Sequence, residues 1–465
     1  MDQFLKHLKW VNSEILWGWP TIILLLGTGV FFTFATRFIQ VRKMGMAFKE
    51  TFGSVFSKES RKKGEVSSFQ SLATAIAAQV GTGNLAGVAS AIASGGPGAV
   101  FWMWVSGFFG MGTIFAEAVV SQRFVKEVDG ERIGGPAYYI RYGIKNQALA
   151  KFLAGFFAIS IIIALGFMGN IVQANSIASS INTAFGVPQV VTGIVVAVLV
   201  LLIVGGGVQR IVGFTSSVVP FMAIFYIGGS LAIILMNFAH VGEAFSMIFK
   251  SAFSAQAFVG GAIGTSVKAA FRYGVARGLF SNEAGMGSTP HAHAIAKVDH
   301  PAEQGLVATL GVLIDTGIVC TMTALVILTT GTYSKVAQGL EAAELTQAAF
   351  TAGIGGFGNA FVAICLFFFA FSTIIGWYFF GETNVKYLFG RSMLWPYRLL
   401  VALVVVAGSM FKVGLVWELA DSANFLIVLP NLIALLALAG LVTKILRDYE
   451  NNFLRGTSSE YQNKK

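Results

Sequence analysis

The chain has 465 residues, of which 55% are hydrophobic and 12% charged, and its formal net charge is +10. Soluble domains carry about 25% charged residues, so the composition excludes an ordinary cytosolic enzyme. With 54 Gly but only 9 Pro it also excludes disordered and collagen-like chains. A basic total says nothing about nucleic acid until the charges are placed along the chain.

A helix crossing a bilayer needs about 20 mostly apolar residues. Such stretches run near 15–36, 69–94, 98–122, 152–182, 189–207 and 212–236. Others follow near 255–295, which is long and interrupted, and near 305–331, 347–384, 396–411 and 420–445. These eleven spans are continuously apolar rather than alternating, which predicts an all-α polytopic membrane protein and not a β-barrel. The first is too long for a signal peptide and no small-residue cleavage site follows it. It is predicted to be peripheral, because the longest polar stretch, 58–68 (KESRKKGEVSS), separates it from the rest as a cytoplasmic linker.

Placing the charges sets the orientation. If the first span runs outside to inside, 24 of the 32 Lys and Arg fall on 37–67, 121–151, Arg210, Lys297, 386–398 and the tail from Lys444. Lys6, Lys9, Lys250, Lys335 and Lys412 fall on the other side, and Lys268, Arg272 and Arg277 lie in the interrupted stretch. The positive-inside rule then puts the N-terminus outside and the C-terminus in the cytoplasm of a cell membrane. The positive charge is topology and calls for no nucleic-acid partner. The ten spans after the linker divide into five and five, and an odd number per half is the arithmetic of an inverted repeat. The predicted organisation is 1–66 (outer end, peripheral helix and linker), 67–240 and 241–446 (the two five-helix repeats) and 447–465 (cytoplasmic tail). Cys320 and Cys365 lie inside apolar runs, as small core residues without disulfide or metal-ligand spacing.

Both repeats open with a glycine-interrupted helix. In 67–93, Gln79, Thr82 and Asn84 cluster around Gly81 and Gly83; in 278–294, Ser281, Asn282 and Glu283 precede Gly285 and Gly287. Unwound backbone is tolerated in a membrane only where it lines a cavity, and matched interruptions in two halves point to a transport site. A small-residue packing face is the alternative, but packing motifs space glycines by four. Freed amides suit an anionic group and freed carbonyls a cation, the charge pattern of an amino-acid zwitterion with Na⁺. His291 and His293, two apart, point to different sides of a helix and make no metal pair. The glycines at 81–87 fit the dinucleotide fingerprint only in its weaker form and follow no strand. No Walker motif, paired catalytic carboxylates or Ser/His/Asp set stands out, so the expectation is a transporter without enzymatic activity, driven by an ion gradient or passive. A channel would need repeated rings of charge or carbonyls, which the sequence does not show. Glu117, Glu283 and Asp315 lie within spans and are functional candidates by default. Pairing with Lys268, Arg272 and Arg277 is their structural alternative.

The run at 95–110, GGPGAVFWMWVSGFFG, resembles the signature of the alanine or glycine:cation symporter family. VGTGNLAGVA just before it, GGPAYYI at 134–140 and GLFSNEAGMGS at 278–288 are similar to that family too, and the likeness runs over essentially the whole chain. The resemblance implies a sodium-coupled symporter importing alanine and glycine by alternating access, in a leucine-transporter type five-plus-five fold with one extra N-terminal helix. It implies Na⁺ as the coupling ion, no organic cofactor and no obligate protein partner beyond the lipid bilayer. On this sequence it places the substrate carboxylate at the backbone amides of Thr82 and Gly83, beside Gln79 and Asn84, and the amino group near the carbonyls of Ala78 and Phe280, beside Ser281. Gln173 resembles the family's polar substrate contact, with Asn170 one turn earlier; interhelical hydrogen bonding is the alternative for both. Phe280 and Trp377 look like the apolar lid and floor. The sodium ligands implied are carbonyls at Ala77, Val80 and Phe369 and the hydroxyls of Ser372 and Thr373, which can instead bond back to their own helix. A proton-coupled carrier using Glu283 or another of the acids is the alternative reading.

Overall fold

The computed structural model describes residues 2–56, 65–128, 130–253, 267–340 and 342–462. Most of the expected linker and the start of the interrupted stretch near 255–295 lie outside the described residues. What is described is almost entirely helical. Seven helices are long and apolar enough to cross a membrane, or nine if two bent pairs each count as one span.

The expected count of eleven is not reached on those terms, for two physical reasons. Gln189–Val204 is apolar but only 16 residues long, and Val267–Asn282 carries Lys268, Arg272 and Arg277. Two expected spans also divide. The stretch near 347–384 becomes Ala342–Ile354 and Phe357–Phe389, separated at Gly355 in a left-handed turn (φ 68°). The stretch near 420–445 becomes Val413–Ala437 and Ala439–Asn451, joined through Leu438. The all-α expectation needs one small amendment: Lys126–Val128 pairs antiparallel with Glu131–Ile133.

The helices are arranged with apolar side chains outward and polar ones inward. Phe152, Ile224 and Leu403 stand more than 60% exposed on helix surfaces, as expected where lipid tails are the solvent. Meanwhile Thr82, Asn84, Glu117, Gln173, Asp315, Ser372 and Thr373 are all buried. At the centre lies Phe357–Phe389, whose residues from Phe369 to Val385 are buried without interruption. It packs against Ser68–Gln79, Asn170–Phe185 and Gly207–Met236. Ser67 starts the first of these with a capping box: Ser67 Oγ accepts from the Gln70 amide at 3.1 Å, and Gln70 Oε1 accepts from the Ser67 amide at 3.0 Å.

The C-terminal tail is fastened to the base of Pro301–Val312. His300 caps that helix, its Nδ1 accepting from the Ala302 amide at 3.1 Å, which leaves Nε2 to donate to Asp448 at 3.2 Å. Asp448 also accepts from Asn452 Nδ2 (2.6 Å), the Glu460 and Tyr461 amides (3.3 Å each) and the Ser459 hydroxyl. Burial alone would raise this carboxyl, but the Ser459, Asn452 and His300 donors together pull it down to about 2. Because the folded value lies below the ordinary 3.8, the clasp holds at full strength above that value and is lost as pH falls towards 2. Hydrogen exchange across 452–461 should therefore stay slow down to about pH 4. Asp448→Ala should weaken the docking by about 1–3 kcal/mol at neutral pH, read as faster exchange in that segment alone.

Candidate functional site

The helix Ser68–Gln79 meets Gly83–Gly95 at a bend of 53°. At the bend, backbone amides turn to side chains. The Gly81 amide donates to Asn84 Oδ1 at 2.9 Å and the Thr82 amide to Gln173 Oε1 at 3.3 Å. In an unbroken helix those donors would serve Ala77 and Ala78, whose carbonyls are thereby released. Thr373 Oγ1 reaches Ala77 O at 3.0 Å, Val80 O at 3.3 Å and Phe369 O at 2.9 Å. Ser372 Oγ reaches Ala77 O at 3.4 Å and Phe369 O at 2.9 Å. Three carbonyls and two hydroxyls thus converge, an uncharged all-oxygen set of the kind a hard cation takes. The approach demands glycine: a Cβ on Gly81 would lie 2.5 Å from Thr373 Oγ1 and 3.3 Å from Gln173 Oε1. Gly83 opens the next helix, so its amide has no intrahelical acceptor.

The second helix ends at Asn282, and the chain then turns through left-handed backbone at Glu283 (φ 58°), Gly285 (φ 87°) and Gly287 (φ 78°) before Pro290–Ala294. For a glutamate this conformation costs about 1–3 kcal/mol, which the surroundings must hold in place. Trp377 Nε1 donates to Glu283 Oε1 at 2.6 Å and Ser288 Oγ donates to Glu283 Oε2. The freed amides here do face a carboxyl group, but it belongs to the protein. Gly285 N and Gly287 N donate to the two oxygens of Glu117 at 3.3 and 3.0 Å. Asn431 Nδ2 braces the arrangement, 2.6 Å from Glu117 Oε1 and 2.9 Å from Gly285 O, and Tyr139 OH donates to Asn431 Oδ1.

Side chains join one break to the other. Gln79 Nε2 donates to Asn282 O at 2.7 Å, Asn84 Nδ2 to Asp315 Oδ1 at 2.6 Å and Ser281 Oγ to the same oxygen at 3.0 Å. π-helical turns lie on three sides, at Gly83–Gly87, Ile162–Gly169 and Leu313–Cys320; such turns recur at functional sites because they widen a helix locally.

Of the residues expected at the site, the structure gathers most. Asn170 is buried but its amide donates to Gly166 O of its own helix at 3.0 Å rather than to either break. Phe280 sits 5.9 Å from the Trp417 ring and lines a cavity of about 100 Å³ together with Asn12, Trp17, Arg277, Glu418 and Asp421. The residues 81–84, Gln173 and Trp377 do not line it, so the cavity stops at Phe280. The alternative reading of the acids, pairing with these cations, does not hold: Arg272 pairs with Glu14 at 3.2 Å, Arg277 with Asp421 at 3.6 Å, and Lys268 lies over the Trp19 ring. Arg272 and Arg277 line that cavity. Among the described residues no group of three or more His, Cys, Asp and Glu is placed to hold a metal. His291 instead meets Ser288 O and Asn384, and His293 meets Gln304. Sequence reasoning missed Asn431, whose only signal was a lone amide after Pro430 in an apolar run, and gave no role to Tyr139 within the GGPAYYI motif.

The sequence profile of the sodium:alanine symporter family matches residues 1–463. The chain is 42% identical to the sodium/alanine symporter AgcS of Methanococcus maripaludis, over 97% of this chain and 98% of that one. It is 43% identical to the putative sodium/proton-dependent alanine carrier protein YrbD of Bacillus subtilis, over 96% and 92% of the two chains. Among solved structures it is similar to the manganese transporter of Eremococcus coleocola, with a TM-score of 0.51 and 15% identity over 86% of this chain and 81% of that one. That likeness concerns the fold.

Glu117→Ala leaves the buried Gly285 and Gly287 amides without an acceptor, and Asn431 with one partner fewer, and should cost about 3 kcal/mol or more. Thermal unfolding followed by size exclusion in detergent should show the loss, with Glu117→Gln, which keeps one acceptor, in between. Equal stability of all three proteins would contradict the cradle.

Proposed function

The chain belongs to the sodium:alanine symporter family, and on that premise we propose that it is a sodium-coupled importer of alanine and glycine working by alternating access. It is a multi-pass membrane transporter and not an enzyme. The observation that carries the finer reading is the first break, which presents anion-seeking amides and cation-seeking carbonyls within one turn.

In this reading Gln173 Oε1 on the Thr82 amide stands where a carboxylate oxygen of the substrate docks. The Thr82 and Gly83 amides receive the carboxylate, with Gln79 and Asn84 fixing the bend. The Ala78 and Phe280 carbonyls receive the ammonium group, beside Ser281. Gln173, once displaced, contacts the substrate, and Asn170 supports that helix from one turn away. Phe280 and Trp377 fill the remaining space, so rejection of larger amino acids is graded, about 1–3 kcal/mol per methylene. Na⁺ takes the carbonyls of Ala77, Val80 and Phe369 and the hydroxyls of Ser372 and Thr373.

Na⁺ binding ties the first broken helix to Phe357–Phe389 and preorganises the break for substrate. A ligand shifts such an equilibrium only through its different affinities for the two states. The moving bundle carries the two broken helices, within repeats at 67–240 and 241–446; 1–66 supplies the peripheral helix and 447–465 the cytoplasmic tail, with the N-terminus outside. The proton-coupled alternative would use Glu283, whose two oxygens accept from Trp377 and Ser288, or another of the intramembrane acids; the neutral oxygen set around Thr373 is what supports sodium.

Ser372→Ala combined with Thr373→Ala should raise the Na⁺ concentration for half-maximal alanine uptake by about tenfold or more. Unchanged sodium dependence at normal expression would contradict the ion assignment.

A further inference from the structure

Glu283 is a buried acid that no step of the proposed cycle uses, and it stands at the left-handed corner of the second break, with φ at 58°. Its two oxygens have different partners. Ser288 Oγ donates to Oε2 from within the same turn, while Trp377 Nε1 donates to Oε1 at 2.6 Å from the helix Phe357–Phe389. The bond to Ser288 and a backbone that a glutamate adopts only under constraint fix the carboxyl group. The carboxyl group in turn fixes the indole.

The level of the indole follows from two antiparallel helices. A Cβ on Gly81 would meet both Thr373 Oγ1 and Gln173 Oε1, so those two side chains approach each other at the first break. Four residues on from Thr373 is Trp377, and four residues back from Gln173 is Gly169. Each lies on the same face of its helix, about 5.4 Å further along. There the two meet: a Cβ on Gly169 would lie 2.5 Å from Trp377 Cζ3 and 2.6 Å from Cε3. The indole is thus gripped at both ends. Its six-membered ring lies against a helix that has no side chain at that point, and its N–H is held by Glu283. It closes the site one turn beyond the groups around the Thr82 amide, and Phe280 closes it towards the cavity that Phe280 lines.

We propose that Glu283 is a positioning residue for substrate selection: by holding the Trp377 indole against Gly169 it sets how large a side chain the site admits. The inference rests on the reading of the first break as a small-amino-acid site and deepens it by naming what sets the size limit. The space that a side chain larger than methyl needs is the space the ring occupies. Without its hydrogen bond the ring is free to take another rotamer and vacate that space. Glu283 itself touches no substrate. Its effect is on which amino acid binds, not on how the carboxylate and ammonium groups are received.

The test is competition against labelled alanine for binding to the purified full-length protein in detergent at saturating Na⁺, with glycine, alanine, 2-aminobutyrate and valine as competitors. Wild-type affinity should fall steeply beyond alanine. Glu283→Ala should lower the ratio of alanine to 2-aminobutyrate affinity by about tenfold. Glu283→Met, which fills the same space without an oxygen for the indole, should do likewise and serves as the test if Glu283→Ala does not fold. Glu283→Gln keeps an acceptor for the indole and should retain the wild-type ratio. Adding Glu283→Ala to Trp377→Phe should change the ratio no further, because the acid acts only through the indole N–H. An unchanged ratio in Glu283→Ala or Glu283→Met overturns the proposal, as does a further tenfold fall in the double variant. Loss of glycine and alanine binding alike in both Glu283→Ala and Glu283→Gln also overturns it, since the acid then serves the ligand or a proton directly. A wild type that binds valine as tightly as alanine removes this inference and leaves the amino-acid reading standing. A wild type that binds neither glycine nor alanine overturns that reading itself.

Discussion

A helix that breaks inside a bilayer releases amides and carbonyls where no water can take them, at several kcal/mol for each group left alone. The interior of this protein is organised around that cost. At the first break the released groups are met by Asn84, Gln173, Ser372 and Thr373. At the second they are met by Glu117, with Asn431 and Tyr139 behind it. The partners come from helices far apart in the chain, so each break is also a junction where several helices are pinned together. Backbone held by side chains rather than by its own helix can exchange those partners for a ligand, which is what a binding site in mid-membrane requires.

The three intramembrane acids divide this labour. Glu117 holds the amides of the second break, and Glu283 holds Trp377 against it. Asp315 alone touches residues flanking both breaks. A single label such as "proton relay" or "ion pair" therefore fits the three poorly as a group. Two of them shape the site, and the third is held by neutral donors alone.

Much of this was legible in the sequence, and the pattern of success has a physical reason. Gly81, Gly83, Gly285 and Gly287 stood out because local composition encodes local backbone freedom. Ser372 and Thr373 stood out as a hydroxyl pair in an apolar run. The expected approach of Thr373 to the Ala77 and Val80 carbonyls came from the family resemblance and not from spacing. What could not be read was long-range. Asn431 lies 314 positions from Glu117, and nothing in an apolar stretch says which distant carboxylate its amide meets. The π-helical turns have no compositional mark. Lys268, Arg272 and Arg277 were plausible partners for the acids by proximity in sequence, but the helix carries them towards Glu14, Asp421 and Trp19 instead. Span bounds were drawn too widely where a glycine turn at 355–356 or a joint at Leu438 cut an apolar run that composition alone kept whole.

The central claim is that neutral oxygens at the first break couple alanine movement to sodium. It is tested most directly by uptake of labelled alanine into proteoliposomes with Na⁺ and pH gradients imposed separately. An inward Na⁺ gradient at equal pH should drive accumulation above equilibrium, and an inward proton gradient without Na⁺ should not. Accumulation driven by the proton gradient alone, with Na⁺ without effect, would contradict the account.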